Sequence, residues 1–247
     1  MKKDKTTRFS GAVWADQLMD IIIIGAGGIG SWTALNLARI GHSIIIIDGD
    51  VVDDTNISGG QMFRETDNSL FKAESVRSIC RIFGCENDIH TINDYWSTDV
   101  FEFVDAKVIV CAVDNMLTRR QAFEEWVKNG DESSLFIDGR LTMEMYEIFA
   151  IQKQNLNQIA EYERNHLFSD DEATPLDCTT KQSTFAAMGI ASNITATICN
   201  WASNRKEGMT FRSVPFYTRH FLPIFENKVE SADVLVYGDK NIVELVN

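Results

Sequence analysis

Ile21-Ile22-Ile23-Ile24-Gly25-Ala26-Gly27-Gly28-Ile29-Gly30-Ser31 decides the fold of this chain. Four β-branched residues in a row read as a strand buried on both faces, the signature of a parallel sheet. Three glycines spaced G-x-G-x-x-G follow at once. They allow a sharp turn onto the N-terminus of a helix. Free backbone N–H groups and the helix dipole attract a phosphate or another anion there. Gly25, Gly27, Gly28 and Gly30 are therefore candidate nucleotide-binding residues. The glycine pattern alone does not say which nucleotide.

Working outward, residues 11 to 18 predict a short amphipathic helix before a strand at about 20–24. The helix Gly28 to Ile40 stops at Gly41, and a second apolar strand, Ser43 to Ile47, ends in Asp48. This is a right-handed strand–helix–strand crossover. A polar loop runs from Gly49 to Asn68. Next come a helix from Ser69 to Phe83, a strand from Ile89 to Ile92 and a strand from Lys107 to Val113. A helix from Asn115 to Asn129 and a strand from Leu135 to Asp138 complete a doubly wound, mostly parallel α/β sheet. Beyond it the alternation weakens. Tyr146 to Gln152 reads as a strand, Gln154 to Asn165 and Thr184 to Ser203 as helices, and Thr210 to Tyr217 and Ala232 to Tyr237 as short strands. The expected architecture is Rossmann-like with an antiparallel or mixed C-terminal extension.

The 247 residues carry a net charge of −13, which argues against nucleic-acid binding, since phosphate contacts need clustered Lys and Arg. No stretch approaches the roughly 18 apolar residues of a membrane span. No apolar signal stretch follows the charged Met1–Lys5, so the cytoplasm is the expected compartment. The five cysteines contain no C-x-x-C pair and the four histidines form no cluster, so no structural zinc is expected.

Asp48 stands roughly 20 residues past the glycines, where an acidic side chain accepts hydrogen bonds from ribose hydroxyls. That much suits an NAD-dependent oxidoreductase or any adenosine-binding domain. Three further motifs follow: Asp48-Gly49-Asp50 running to Asn56, Lys72-Ala73-Glu74, and Cys111-Ala112-Val113-Asp114-Asn115. With the glycine turn, this series resembles the family of ubiquitin-activating enzymes and their bacterial ThiF–MoeB relatives, over about residues 8 to 140.

The resemblance implies ATP-dependent adenylation of the C-terminal carboxylate of a ubiquitin-like or sulfur-carrier protein. Carboxylate and triphosphate repel, so such a site must supply positive charge. Lys72 is the implied phosphate cation, Asp114 the implied Mg2+ ligand, and Asp48, Asp50 and Asn56 line the implied ATP pocket. Arg8, in Thr7-Arg8-Phe9-Ser10, resembles an arginine that family dimers send into the partner's site, which implies a homodimer. Pro175-Leu176-Asp177-Cys178-Thr179-Thr180 resembles the surroundings of the family's thioester cysteine. Cys178 is thus a candidate nucleophile, and a conjugating enzyme a candidate partner.

One departure stands out. Gly59 and Gly60 occupy the places of the family's Arg-Gln pair, with Gln61 one position late and Arg64 the candidate substitute. The implied organisation is an N-terminal arm (1–19), an adenylation core (20–150) and a C-terminal part (151–247) holding the cysteine loop and partner-binding elements. Adenylation of a peptide or tRNA base without a thioester, an oxidoreductase, and a non-catalytic scaffold subunit remain as alternative readings.

Overall fold

The structure is a computed structural model that describes residues 8–85, 87–98, 106–169 and 182–231. Its strands are β1 (Asp20–Ile24), β2 (Ser43–Ile47), β3 (Ile89–Ile92), β4 (Val108–Cys111), β5 (Leu135–Leu141), β6 (Met145–Gln152), β7 (Tyr217–Phe221) and β8 (Glu226–Glu230). They form one mixed sheet in the order β3-β2-β1-β4-β5-β6-β7-β8. The first five pair in parallel and the last three add antiparallel. The helices are α1 (Gly28–Ile40), α2 (Asp54–Ser58), α3 (Lys72–Ile82), α4 (Met116–Asn129), α5 (Leu156–Asn165) and α6 (Thr184–Asn204).

The isoleucine run explains the layering. Successive strand side chains point to opposite faces. Ile21 and Ile23 join the core under α1, α3 and α6, while Ile22 and Ile24 join the one under α4 and α5. Burying each isoleucine contributes about 2 kcal/mol of transfer free energy. The second core is aromatic: Phe123 lies 4.7 Å from Tyr162 and 5.4 Å from Phe136, centroid to centroid. Long helix α6 packs on α1 through small residues. Gly189 lets Tyr146 approach, since a Cβ there would stand 3.0 Å from the ring.

The predicted helix at 11–18 is instead a series of hydrogen-bonded turns, such as Ala12 N–H to Phe9 O and Ala15 N–H to Ala12 O. The loop after Asp48 contains α2, started by a capping box in which Asp53 and Asn56 satisfy each other's backbone N–H groups. Helix α3 begins at Lys72 rather than Ser69. Ser69 has φ +66° and its N–H bonds to Val52 O, folding 69–71 back along the residues after β2. Pairing in the tail begins at Tyr217, so residues 210–216 are not a strand. Strand β8 escapes sequence reading because Glu226-Asn227-Lys228-Val229-Glu230 has no apolar run, and all five residues are exposed. The predicted strand Ala232–Tyr237 lies outside the described residues. No helix among the described residues is long and apolar enough to cross a membrane.

Candidate nucleotide site

Strand order reverses direction between β1 and β4, and in open α/β sheets ligands bind where the loops leave such a switch point. The loops after β1, β2 and β4 meet there. Gly25, at φ +93°, donates its N–H to Ile47 O at 2.8 Å, and a Cβ on it would lie 2.7 Å from Ala112 O. Only glycine fits between the β2 and β4 ends. A Cβ on Gly30 would stand 1.8 Å from Gly25 O, so α1 packs flush against its own turn.

The turn matches an anionic ligand. The N-cap of α1 is Gly27, which offers no side-chain cap and leaves the first N–H groups of the helix for another acceptor. Above Gly27 the surface is open, since the nearest atom to a Cβ there is Gln61 Oε1 at 4.0 Å. That oxygen is buried with no hydrogen-bond partner.

Asp48 latches this turn. Its Oδ2 accepts the Ala26 N–H at 2.6 Å and its Oδ1 the Asp50 N–H at 2.8 Å. Burial pushes the Asp48 carboxyl above its ordinary pKa, against the pull of those two hydrogen bonds. The sequence suggested a ribose acceptor. Each oxygen keeps a lone pair for that role, but the backbone latch was not foreseen.

Next to it, Lys72 Nζ donates to Asp50 Oδ2 at 2.8 Å and Lys72 N–H donates to Asp50 O at 2.9 Å. Tyr95 O–H donates to Asp50 Oδ1 at 2.6 Å. Burial raises the Asp50 pKa, but the Lys72 and Tyr95 hydrogen bonds outweigh it and hold the carboxyl below the usual range. Lys72 is thus a nearly buried cation fixed at the start of α3, beside the Asp48 loop. Tyr95 also covers Gly49, where a Cβ would stand 2.8 Å from its backbone nitrogen. No local pattern in the sequence marked Tyr95 for this place.

Asp114 is exposed in the loop after β4. Asn115, not Asp114, caps α4, accepting the Thr118 N–H at 2.8 Å, so the Asp114 carboxylate is not used as the helix cap. The loop is anchored from below. Arg119 donates to Val113 O at 2.6 Å and to buried Asp138 at 2.6 Å. Asp138 also takes Arg140 at 2.7 Å and Tyr162 O–H at 2.8 Å. Burial raises Asp138, yet the two guanidinium charges outweigh it and keep its pKa low. No cluster of three or more His, Cys, Asp or Glu side chains able to hold a metal occurs among the described residues. A magnesium ion in a nucleotide site needs only one or two carboxylates besides phosphate oxygens, and Asp114 is an exposed carboxylate that could serve as one.

Other candidates are placed differently. Asn56 is engaged in the α2 cap. Arg64 is held by Asp67 through bonds of 2.9 and 2.6 Å. Arg8 is exposed in the first described turn. Cys178 lies outside the described residues.

The ThiF family profile matches residues 17–212. The chain belongs to the ThiF family. No curated protein matches it in sequence. Among solved structures, this ThiF-family chain is similar to PaaA, with a TM-score of 0.68 at 17% identity, covering 89% of this chain and 66% of PaaA. It is also similar to E. coli MccB in complex with MccA-N7isoASN (TM-score 0.69, 16% identity, 89% of this chain and 66% of MccB). For E. coli MccB with AMPCPP and MccA, the TM-score is 0.68 at 16% identity, covering 93% of this chain and 72% of MccB. The ThiF-family chain thus spans about two thirds of the length of PaaA and MccB.

Proposed function

We propose that this chain catalyses ATP-dependent adenylation of the C-terminal carboxylate of a peptide or small protein. The carboxylate oxygen attacks the α-phosphorus, an acyl–O–P bond forms, and the α–β bridging bond breaks so that pyrophosphate leaves with its electron pair. The observation that carries the reading is the joined pair of contacts at the β2 end. Asp48 latches the glycine turn, and Asp50 holds the Lys72 cation beside it. A dinucleotide oxidoreductase uses the turn and Asp48 but leaves Lys72 and Asp114 without a task. A scaffold subunit has no need of either.

In this reading the α1 N-terminus receives phosphate oxygens and Lys72 offsets the repulsion between the two anions. Asp114 holds Mg2+, which neutralises phosphate charge when bound. Family membership supports ATP as the nucleotide, and E. coli MccB has been solved with ATP. Complexes of MccB with MccA support a polypeptide substrate here.

Finer parts of the reading rest on sequence. A ubiquitin-like or sulfur-carrier protein ending in glycine is the proposed substrate. The Pro175–Thr180 motif supports transfer of the acyl group from AMP to the Cys178 thiolate, forming a thioester and releasing AMP. Arg8 is proposed to serve the partner's site in a homodimer.

The test is ATP–pyrophosphate exchange with a panel of glycine-ended small proteins and short peptides. Exchange that depends on one of them and disappears in Asp114→Ala supports adenylation, and no exchange with any of them overturns it. Cys178→Ala should keep exchange and lose a thiol-sensitive adduct. An adduct that survives removes Cys178 as the carrier.

A further inference from the structure

Gly59 and Gly60 stand where the family resemblance places an arginine and a glutamine. The structure shows what uses the space. Gln182, partly buried just before the α6 cap Ser183, lays its carboxamide between the glycine turn and the end of α2. A Cβ built on Gly28 would stand 2.2 Å from Gln182 Oε1. One built on Gly59 would stand 3.5 Å from Gln182 Nε2. Gly28, the first residue of α1, therefore makes room for the amide, while at Gly59 the amide nitrogen lies at ordinary contact distance and it is Thr55 O, 2.5 Å from the Cβ position, that crowds a side chain.

We propose that Gln182 is a further nucleotide-binding residue, donating Nε2–H to a phosphate oxygen in place of the arginine absent at Gly59. The assignment rests on the ATP-dependent function proposed above. Without nucleotide, the amide turns its partly negative Oε1 toward the first turn of α1, where uncapped N–H groups and the helix dipole favour negative charge. A phosphate brings a stronger negative charge to the same place. Rotation of the terminal amide then exchanges acceptor for donor, since a carboxamide presents either at its two ends. Gln61 Oε1, lying 4.0 Å from the Gly27 Cβ position, borders the same opening.

Calorimetric titration of the full chain with ATP and magnesium tests this. Gln182→Ala should weaken ATP binding about tenfold, the size of one hydrogen bond to a charged group. Gln182→Glu keeps size and acceptor but replaces the donor with a charge that repels phosphate, so it should weaken binding further. Gln182→Lys restores a donor and should return affinity toward the native value. A merely structural side chain would not follow this order of charge. Thermal unfolding without ligand checks that each variant folds, and Gln182→Glu carries the test if Gln182→Ala does not fold. ATP affinity unchanged in the Glu variant, while Lys72→Met weakens it, overturns the role of Gln182 alone. No ATP binding by the native chain overturns the proposed function and this role with it.

Discussion

The carboxylate of Asp138 accepts a 2.6 Å hydrogen bond from the Arg119 guanidinium in the buried interior, and the same guanidinium reaches the Val113 carbonyl next to Asp114. A charge pair under the sheet thereby sets the loop that offers Asp114 to the site. Asp138→Asn leaves Arg119 and Arg140 without their shared counter-charge. Breaking such a buried pair costs roughly 3–5 kcal/mol. Urea denaturation should show a fall of that size. A loss under about 1 kcal/mol, the range of an exposed pair, would refute this account of the network.

Gly30 is the tightest contact of the glycine turn. Gly30→Ala drives a methyl group into the Gly25 carbonyl, 1.8 Å from the Cβ position, and backbone cannot swing aside as a side chain can. Overpacking costs typically about 1–3 kcal/mol and more where backbone must move. The midpoint of thermal unfolding should drop accordingly, and ATP affinity should fall with it. Gly11→Ala, where a Cβ meets nothing within 4 Å, serves as the control and should leave both unchanged.

Lys72→Met keeps the apolar stem of the side chain and removes the charge. Asp50 retains its Tyr95 hydrogen bond, so the fold should stand. Loss of one preorganised group facing developing charge lowers kcat by about 10²–10³. Steady-state exchange kinetics check this, and a kcat within a few-fold of native removes Lys72 from the chemistry.

His42 makes stability depend on pH. It is 2% exposed, its Nδ1 accepts the Met19 N–H at 3.3 Å, and burial lowers its pKa to about 4. In the unfolded chain the imidazole binds a proton near 6.5. Between about pH 6.5 and 4 the unfolded state therefore holds more protons, and stability falls as pH falls through that window. The His42 share of the slope reaches about 1.4 kcal/mol per pH unit. His42→Asn keeps an acceptor for Met19 without titrating. Denaturation curves at pH 7 and 4.5 should converge for the variant relative to the native chain. An equal slope in both proteins assigns the acid sensitivity to other groups.

The parts of the site legible in sequence are those written locally. The isoleucine run, the glycine spacing and Asp48 lie within one strand–helix–strand unit, and each forms the element expected of it. Lys72 was legible as part of a motif, although α3 starts later than its apolar pattern suggested, because residues 69–71 pair back toward β2. Tyr95, Arg119 and Gln182 carried no signal. Tyr95 and Gln182 arrive from distant parts of the chain and Arg119 from the second turn of α4, and a single side chain arriving that way leaves no periodicity. Asn56 and Arg64 show the opposite limit. The family resemblance named Asn56 and the missing Arg-Gln pair suggested Arg64, and in the structure Asn56 Oδ1 caps α2 through the Asp53 N–H while Arg64 pairs with Asp67. The antiparallel end was the least legible, because a fully exposed strand such as β8 has no buried face to pattern.

The eight-stranded sheet joins strands of very different depth. The β1 isoleucines are at most 1% exposed, whereas every β8 residue is exposed, and among the described residues β8 pairs with β7 alone. Backbone amides along one continuous sheet should therefore exchange with deuterium on separate clocks. Those of β8 are released by local fraying, and those of β1 only when the whole domain opens. The half that carries the glycine turn can stay locked while the outer antiparallel margin breathes. The charged Glu226, Lys228 and Glu230 make that margin a poor template for unintended pairing with another chain.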